Sequence, residues 1–512
     1  MGAWNVLQKL GRRRPLKRPR LGSQQRPLNR QELQRENRQL REENERLRQK
    51  VTESEKQVAD YEKQIADLER QLAGRKKDST NSSKPPSSDG PAAARRLKPS
   101  RCRGRRKPGG QKGHPGRHRE LQPLERVDET VAVLPPGCRH CGQPLPQQIE
   151  QAETRGEVHR YQVTELPPLR AHITEYQCHQ VACPHCGRAT RAEVPAEVRV
   201  SAFGPRLAGL IAYLTVGLRI PRRGVEQLLA TALGIQISVG STQKLVEESS
   251  EALAAACQEL ERQLPQEPVL NSDETGWRSR GDRRWLWALV ASSFVFFTVA
   301  ASRSSQVLIH LLGTVFPGIL CSDRFGAYLK YHKGRAQFCW AHLKRDLLGI
   351  REFARTTEAE RFCRDAWALT ARLFRLWHRF RGGGLERTEL ILKSIPLQKR
   401  FFRLCEQYLD SGDNEVRVLA TAMFQHCDRL FAFLEHPGVE PTNNSAERAL
   451  RHAVIWRKIS FGNQSAKGEI ATARLLTVAR TCLMQRRNAL EFLCDSVSRH
   501  RAGQPSLSLL PR

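Results

Sequence analysis

The chain has 512 residues, enough for about three or four domains of roughly 150 residues each. Its 85 Lys and Arg outnumber 53 Asp and Glu and give a formal net charge of +32, which favours a polyanionic partner. Nucleic acid fits better than a membrane surface, because no basic helix with a bulky apolar face is present. Fourteen Cys, with no apolar secretory segment after the basic N-terminus, indicate reduced thiols and metal ligation in the cytoplasm rather than disulfides.

The N-terminal part of the chain is predicted to contain an arm, a coiled coil and a linker. Residues 1–27 are basic and broken by Pro, which predicts disorder. Residues 28–74 keep a 4–3 spacing in which Asn37 and Asn44 take successive a positions; this predicts a parallel two-stranded coiled coil and hence a homodimer. A trimer and a single solvated helix are the alternatives. Residues 75–125 are rich in Pro, Gly, Ser and basic residues, which predicts a linker, either a flexible tether or a strap along a DNA backbone.

Residues 126–195 hold two Cys-x-x-Cys pairs about forty residues apart, each followed by Gly. The candidate zinc ligands are Cys138, Cys141, Cys183 and Cys186. Two such pairs are typical of a tetrahedral structural Zn²⁺ site, and their long separation predicts an inserted β-hairpin between them. Coincidental free cysteines are the alternative, and Cys178 and nearby His are weaker candidate ligands.

Residues 200–262 have helical periodicity. One segment closes at Gly234 and a second opens near Ser238, which indicates a helix-turn-helix. Arg222 and Arg223, at the start of the first segment, are candidate DNA contacts. A helical packing unit that touches no DNA is the alternative.

From Pro268 the pattern changes to strands, which begins a predicted catalytic region over residues 265–465. The first apolar run ends on Asp273 and the fourth, Ile319 to Ser322, presents Asp323. With a crossover helix over 305–312, this order of elements predicts an RNase H-like sheet with both acids at neighbouring carboxyl ends. The alternatives are a solvated strand edge for the first acid and a turn cap for the second.

The apolar run 285–301 has 17 residues, the lower limit for a membrane span. Ser292 and Ser293 divide it into two runs of strand length, so we predict a buried β-hairpin over 285–299. A fifth strand is expected between Arg335 and Trp340.

A third acid, Glu447, follows a polar turn at the predicted start of a helix. Three converging carboxylates can hold two divalent cations about 4 Å apart for in-line attack on a phosphodiester. Two local alternatives exist: Glu447 completes a capping box with Asn444 as N-cap, or it pairs with Arg451. Glu440 is a weaker candidate, because the Pro that follows it disfavours a helical ligand.

Several short motifs occur in one order along the chain. They are NSSKPPSSD at 81–89, GGQKGHPG at 109–116, the paired Cys knuckles, DETGWR at 273–278, CSDRFGAY at 321–328, CWAHLKRD at 339–346, NNSAERALR at 443–451 and RKISFGNQSAKGE at 457–469. With them the chain resembles, almost end to end, transposases of the insertion-sequence-66 family, a group with a DDE triad.

The resemblance implies an α+β multidomain enzyme with an RNase H-like core, interrupted by a helical insertion at about 345–435. Asp273, Asp323 and Glu447 are then ligands of Mg²⁺ or Mn²⁺ and catalyse strand cleavage and strand transfer. The implied partners are double-stranded DNA, both transposon ends and target, and accessory proteins of the same element, in the bacterial cytoplasm at the nucleoid. Residues 466–512 are expected to be a C-terminal helical segment and tail, disordered after residue 500.

Further candidate DNA contacts lie on predicted helices near the acids: His342, Arg345, Arg448, Arg451 and Lys458. A Gly-rich loop at 461–468 is a candidate grip on the DNA backbone, and a plain turn is its alternative. Two other functions stay open: a catalytically silent zinc-containing DNA-binding protein, and an RNase H-like nuclease or resolvase.

Overall fold

The computed structural model describes residues 30–76, 120–199, 201–331 and 334–511, and the chain divides into two units, Met1–Lys77 and Asp78–Arg512. The predicted arm and most of the predicted linker lie outside the described residues. In the first unit, α1 spans Arg30–Lys76. Its apolar heptad side chains are exposed to solvent, among them Leu40, Leu47, Val51, Val58 and Ile65. The two-stranded coiled coil stays a prediction, because it needs a second chain.

The first described segment of the second unit, residues 120–199, has little regular structure. It contains 3₁₀ turns at Leu124–Arg126 and Ile149–Gln151, the antiparallel strands β1 (Gln180–Ala182) and β2 (Ala189–Arg191), and α2 (Ala196–Arg199). The expected position of the hairpin between the Cys knuckles is wrong. The observed β1–β2 hairpin lies around the second knuckle instead. This knuckle is itself the short turn between the two strands.

The helical segment that follows contains α3 (Pro205–Ala212), a π-helical turn (Tyr213–Gly217), α4 (Arg222–Leu233), α5 (Val239–Ala252) and α6 (Ala254–Gln263). Gly234 ends α4 with a φ of 67°, a conformation that glycine adopts without steric cost. Ser238 caps α5 by accepting a hydrogen bond from the Ser241 N–H. Helix, turn and helix thus occur where the periodicity predicted them, while their contact with DNA stays a prediction.

The catalytic region contains a five-stranded mixed sheet in the order β5-β4-β3-β6-β7. Its strands are β3 (Val269–Ser279), β4 (Asp282–Val290), β5 (Val295–Ala300), β6 (Ile319–Ser322) and β7 (Ala336–Phe338). β3, β4 and β5 pair antiparallel, whereas β6 and β7 run parallel to β3. Two helices, α7 (Ser305–Leu312) and α8 (Gly326–Tyr331), connect β5 to β6 and β6 to β7. This confirms the α+β class, the crossover helix and the predicted hairpin.

The 17-residue apolar run forms β4 and β5 rather than a helix. In the part of the chain that the structure describes, no helix has the length and apolar character needed to cross a membrane.

The first strand of the sheet is longer than predicted. It does not end at Asp273 but continues to Ser279, because residues 273–279 pair with β4 down to Asp282. The parallel pairing with β6 stops earlier, at Asn271. Asp273 therefore lies where β3 parts from β6, inside a strand rather than at its end.

Two layers of helices cover the sheet. The insertion consists of α9 (Trp340–Phe353), α10 (Thr357–Arg381), α11 (Arg387–Gln407), α12 (Asn414–Gln425), a 3₁₀ turn (Cys427–Leu430) and α13 (Ala432–Glu435). It is followed by α14 (Asn444–Ser460), α15 (Ala466–Met484) and α16 (Ala489–Arg501). Because side chains alternate along a strand, Ile319 and Cys321 of β6 pack into the core of the insertion, and Leu320 packs into the opposite core.

The C-terminal tail is ordered against the protein, so the expectation of disorder after residue 500 is wrong. Leu509 is fully buried, and the Gln485 side chain donates a hydrogen bond to its carbonyl oxygen at 2.7 Å. The Ser508 hydroxyl donates to Glu259 at 2.7 Å. One buried Leu and these two hydrogen bonds to residues distant in sequence anchor a segment whose composition alone gave no such signal.

Candidate active site

Of the two predicted catalytic aspartates, Asp273 lies on β3 and Asp323 directly follows the neighbouring strand β6. Asn271 of β3 is paired with Cys321 of β6, and each aspartate follows two residues further along its own segment, just past the last paired residues. Adjacent strands lie about 4.8 Å apart, and residues in register share a face of the sheet. The strand pairing therefore brings both carboxylates to the same edge.

A chain of hydrogen bonds joins this edge to the helices that follow. The Asn443 side-chain amide donates to the Ser272 carbonyl at 2.7 Å, and the Asn443 N–H donates to Cys339 Sγ at 3.1 Å. The Cys339 N–H in turn donates to the Ser322 carbonyl at 2.9 Å. Both carbonyls belong to residues directly before the two aspartates. Asn443, which is only 1% exposed, thus fixes the start of α14 beside Asp273.

Glu447 lies one turn into α14. The N-cap is Asn443 rather than Asn444, and no side chain caps the helix, because the Asn443 amide bonds to β3 instead. The capping-box alternative is therefore wrong for Glu447. Its Oε1 lies 3.4 Å from Arg345 Nη2 and 3.7 Å from His342 Nδ1, both on α9. The Glu447 carboxylate therefore points toward α9 and not toward the N-terminal end of its own helix, α14.

The three carboxylates influence one another electrostatically. Burial, then Glu274, Asp323 and Glu447, raise the pKa of Asp273 well above its usual value. Burial also raises the pKa of Asp323, an effect opposed by a hydrogen bond from the Phe325 N–H and by nearby arginines. The pKa of Glu447 is raised by burial and by Asp323, against Arg345 and Arg451. Like charges close together disfavour one another's ionised form, as these directions show.

Glu274, next to Asp273, has a different role. It is buried, pairs with Arg303 at 2.6 Å and accepts a hydrogen bond from the Tyr328 hydroxyl. The Asp-Glu pair is therefore no solvated strand edge. Adjacent residues of a strand point to opposite faces. Glu274 therefore lies on the face of the sheet opposite to Asp273, where it contacts Arg303 and Tyr328.

The donor set fits hard divalent cations. Mg²⁺ prefers oxygen ligands at about 2.0–2.1 Å, so two ligands of one ion lie at most about 4.2 Å apart. In the described chain, the oxygens of Asp273, Asp323 and Glu447 do not all lie within 4.8 Å of one another. At this spacing one Mg²⁺ ion would not contact all three carboxylates at once. Two buried amide oxygens beside the acids, Asn271 Oδ1 and Asn443 Oδ1, have no hydrogen-bond partner.

Comparison with known proteins assigns the family. Residues 200–470 match the model of the family described as "Transposase IS66 family". The chain belongs to this transposase family. The match covers the helical segment, the sheet, the insertion and α14, and so includes all three carboxylates. Residues 22–120 match a second model, described as "Family of unknown function (DUF6444)".

Among individual relatives, three proteins of Sinorhizobium fredii (strain NBRC 101917 / NGR234) are similar. The uncharacterized protein y4qI is 27% identical over 248 residues, 44% of this chain and 45% of y4qI. The uncharacterized protein y4hP is 23% identical over 406 residues, 72% of each chain. The uncharacterized protein y4jO is 32% identical over 89 residues, 17% of this chain and 27% of its own. The chain thus spans less than half of y4qI and about three quarters of y4hP.

Each Cys-x-x-Cys pair of this family member folds as a tight knuckle. The Cys138 N–H donates to the Gln143 carbonyl and the Cys183 N–H to the Arg188 carbonyl, both at 2.8 Å. The glycine after each second cysteine has a positive φ, 72° in the first knuckle and 69° in the second. Backbone hydrogen bonds from the knuckle lower the pKa of Cys138 and of Cys183, which favours the thiolate that binds metal.

The two knuckles do not meet in one cluster. Within the described ranges, the sulfurs of the four cysteines do not belong to any group of ligand atoms within 4.8 Å of one another. The site of four cysteines and one Zn²⁺ stays a prediction, with ligands Cys138, Cys141, Cys183 and Cys186.

Some of the candidate DNA contacts have exposed side chains, and the others already contact side chains of the protein itself. Exposed are Arg223, Arg448, Arg451 and Lys458, of which the last three lie on α14. Arg222 instead donates to the Gln243 side chain at 2.6 Å, and His342 and Arg345 are partly buried beside Glu447. Because the α-helix repeats every 3.6 residues, Arg448, Arg451 and Lys458 lie on one side of α14. They follow Glu447 toward the C-terminal end of that helix.

The Gly-rich loop at 461–468 packs on β3. Asn463 accepts a hydrogen bond from the Trp277 indole at 2.6 Å, and its backbone bonds to Arg278 and Arg280 at 2.9 Å. A Cβ at Gly462 would lie 2.2 Å from the Arg278 carbonyl oxygen, so only glycine fits there. The loop, which follows α14, is thus hydrogen-bonded to the β3–β4 hairpin, a role that its sequence did not indicate.

Proposed function

We propose that this chain is a DNA transposase that cleaves phosphodiester bonds at the ends of its element and transfers the freed strand to target DNA. The family assignment supports transposition. The observation that carries the proposal is the hydrogen-bonded connection from Ser272 through Asn443 and Cys339 to Ser322. It links the residues directly before Asp273 and Asp323 to the start of the helix that carries Glu447.

The sheet supports an RNase H-like core. Numbered along this region, its strand order is 3-2-1-4-5, with an antiparallel first half and a parallel second half. Asp273 on the first strand and Asp323 after the fourth take the positions expected for such a core. The insertion, α9 to α13, separates Glu447 from them in sequence but not in space.

The oxygens of Asp273, Asp323 and Glu447 would hold Mg²⁺ or Mn²⁺, which when bound activates a water and stabilises the departing 3′ oxygen. In the protein itself, Arg345 neutralises part of the Glu447 charge, and its guanidinium is of the kind that binds phosphate. His342 is held neutral, since burial and the nearby Arg345 and Arg324 lower its pKa to about 3.

The exposed basic side chains on α14 support the proposal that DNA runs along this helix from the three carboxylates. Arg448, Arg451 and Lys458 follow Glu447 along one side of the helix and suit contacts with phosphates. The exposed apolar stripe of α1 supports pairing with a second copy, which would hold two transposon ends together. The Cys knuckles are proposed to bind structural Zn²⁺.

Cleavage of DNA that carries the ends of this element tests the proposal. Wild-type protein with Mg²⁺ or Mn²⁺ should nick the ends and form joined strand-transfer products, and it should do neither without the metal. Glu447→Gln should abolish both reactions while retaining end binding. Glu440→Gln is the matched control, because Glu440 pairs with Arg381 on the surface. Cleavage by the Glu447 variant at a near-normal rate removes this residue from the site. Nicking without joined products favours a nuclease.

A further inference from the structure

A second group of ligand atoms adjoins the carboxylates. Cys339 precedes α9 as its N-cap residue, His342 lies one turn later, and Glu447 faces both from α14. Cys339 Sγ, a ring nitrogen of His342 and a carboxylate oxygen of Glu447 all lie within 4.8 Å of one another. Among the residues that the structure describes, these three form the one group of three or more potential metal ligands at this spacing.

An unsatisfied polar atom points to a ligand at this group. His342 Nδ1 is buried without a hydrogen-bond partner, 3.7 Å from Glu447 Oε1. A buried polar atom left unpaired is unfavourable, so such atoms usually bind a partner. Imidazole is the commonest metal ligand among protein side chains, so a cation is a fitting partner for this nitrogen.

We propose that Cys339, His342 and Glu447 form a Zn²⁺ site that shares Glu447 with the catalytic carboxylates. One sulfur, one nitrogen and one oxygen are ligands that Zn²⁺ accepts in tetrahedral geometry, with the fourth position open. Mg²⁺ prefers oxygen and discriminates against thiol and imidazole, so the two sites differ in the metal they select.

Sharing one carboxylate makes the two sites competitors. When the zinc–sulfur bond forms, the Cys339 thiol releases its proton to solvent, and Glu447 turns from Arg345 toward the zinc. Glu447 is then no longer available to the Mg²⁺ pair. Zn²⁺ is therefore an inhibitor of cleavage, and this part of the inference rests on the proposed function.

Cobalt is the spectroscopic probe for the site, because Co²⁺ occupies zinc sites and absorbs strongly when bound to thiolate. Full-length wild type is compared with Cys339→Ser, in which the serine oxygen can still accept the Asn443 N–H. Cys363→Ser is the matched control, a buried cysteine on α10. The Cys knuckles are present in all three proteins, so their contribution cancels in difference spectra.

The Cys339 variant should lose one bound Co²⁺ and its thiolate band, and the Cys363 variant should retain both. His342→Gln keeps the thiol and should also lose that Co²⁺, which separates ligand loss from misfolding of the Cys339 variant. Identical stoichiometry and spectra in wild type, Cys339→Ser and His342→Gln would overturn the site.

Inhibition by Zn²⁺ tests the sharing of Glu447. With each rate normalised to the same protein without zinc, the half-inhibitory Zn²⁺ concentration should rise at least about tenfold in Cys339→Ser. It should stay unchanged in Cys363→Ser. Equal inhibition of both variants would overturn the sharing. If no protein cleaves DNA, the proposed function fails, and the cobalt measurement still decides the metal site.

Discussion

The catalytic region and the Cys-knuckle region differ in what holds them together. Around the acids, buried strands and the Asn443 and Cys339 hydrogen bonds fix the geometry. Between residues 120 and 199, no side chain that the structure describes is buried, and Val133 and Ile173 are each 87% exposed. Both regions carry recognisable motifs, but the chain's own packing assembles only the first.

This difference has an energetic basis. Burial of apolar surface contributes about 25 cal/mol per Å², and residues 120–199 gain almost none of it. Structural Zn²⁺ can supply folding free energy that packing does not. We therefore expect the knuckle region to depend on metal and on contacts with DNA or another chain, whereas the catalytic region is preorganised.

Loss of a catalytic aspartate should give the largest effect. Asp273→Asn and Asp323→Asn each remove a charged metal ligand without changing the shape of the side chain. Strand cleavage should fall by several orders of magnitude, because the metal pair loses a ligand. Gel-shift assays on transposon ends should show near-normal binding. A variant that still cleaves would show that its carboxylate does not belong to the site.

Loss of the knuckle cysteines should destabilise the Cys-knuckle region and leave the catalytic region folded. Cys138→Ser combined with Cys183→Ser should make residues 120–199 sensitive to protease and weaken end binding about tenfold or more. The melting transition of the catalytic region should persist. Limited proteolysis with mass spectrometry and calorimetry measure the two effects. A common loss of both regions would contradict the contrast drawn between them.

Asn443 tests whether hydrogen bonds, rather than packing alone, position Glu447. Asn443→Ala leaves the Ser272 carbonyl unpaired and should lower the free energy of unfolding by about 1–3 kcal/mol. Cleavage should fall about 10- to 100-fold, because Glu447 loses its position relative to Asp273. Asn444→Ala is the matched control, since Asn444 is exposed. Equal behaviour of the two variants would assign the positioning to packing.

The smallest predicted effect is a gain in stability. Because the pKa of Asp273 is raised in the folded state, folding is penalised as pH rises through that raised pKa, and the penalty disappears below the unfolded pKa of about 4. Metal-free Asp273→Asn should therefore melt above wild type at about pH 8, on the order of 2–4 °C. The difference should shrink on acidification. Thermal melts at several pH values measure it, and a variant less stable at every pH would contradict the charge argument.

Local patterns predicted the strands of the catalytic region well. The Ser292-Ser293 turn between two apolar runs predicted the hairpin, and the strand Ile319–Ser322 has the predicted bounds, because its four residues are all buried. The strand pattern singled out Asp273 and Asp323, whereas Glu447 needed the family motif, since spacing alone does not separate it from a helix cap.

Long-range contacts were not predictable from one sequence. The continuation of β3 past Asp273 depends on β4, and the role of Asn443 depends on a strand 171 residues away. The burial of Leu509 and the approach of His342 to Glu447 are likewise set by tertiary packing. Each is a contact between residues that no local periodicity connects.

The central claim is that three acids from separate elements form one divalent-metal centre. Crystals soaked in Mn²⁺ and measured for anomalous scattering test it most directly. The account predicts manganese peaks within coordination distance, about 2–2.5 Å, of Asp273, Asp323 and Glu447, with at least one ion shared by both aspartates. Manganese bound only elsewhere, with these three carboxylates unligated, would contradict it.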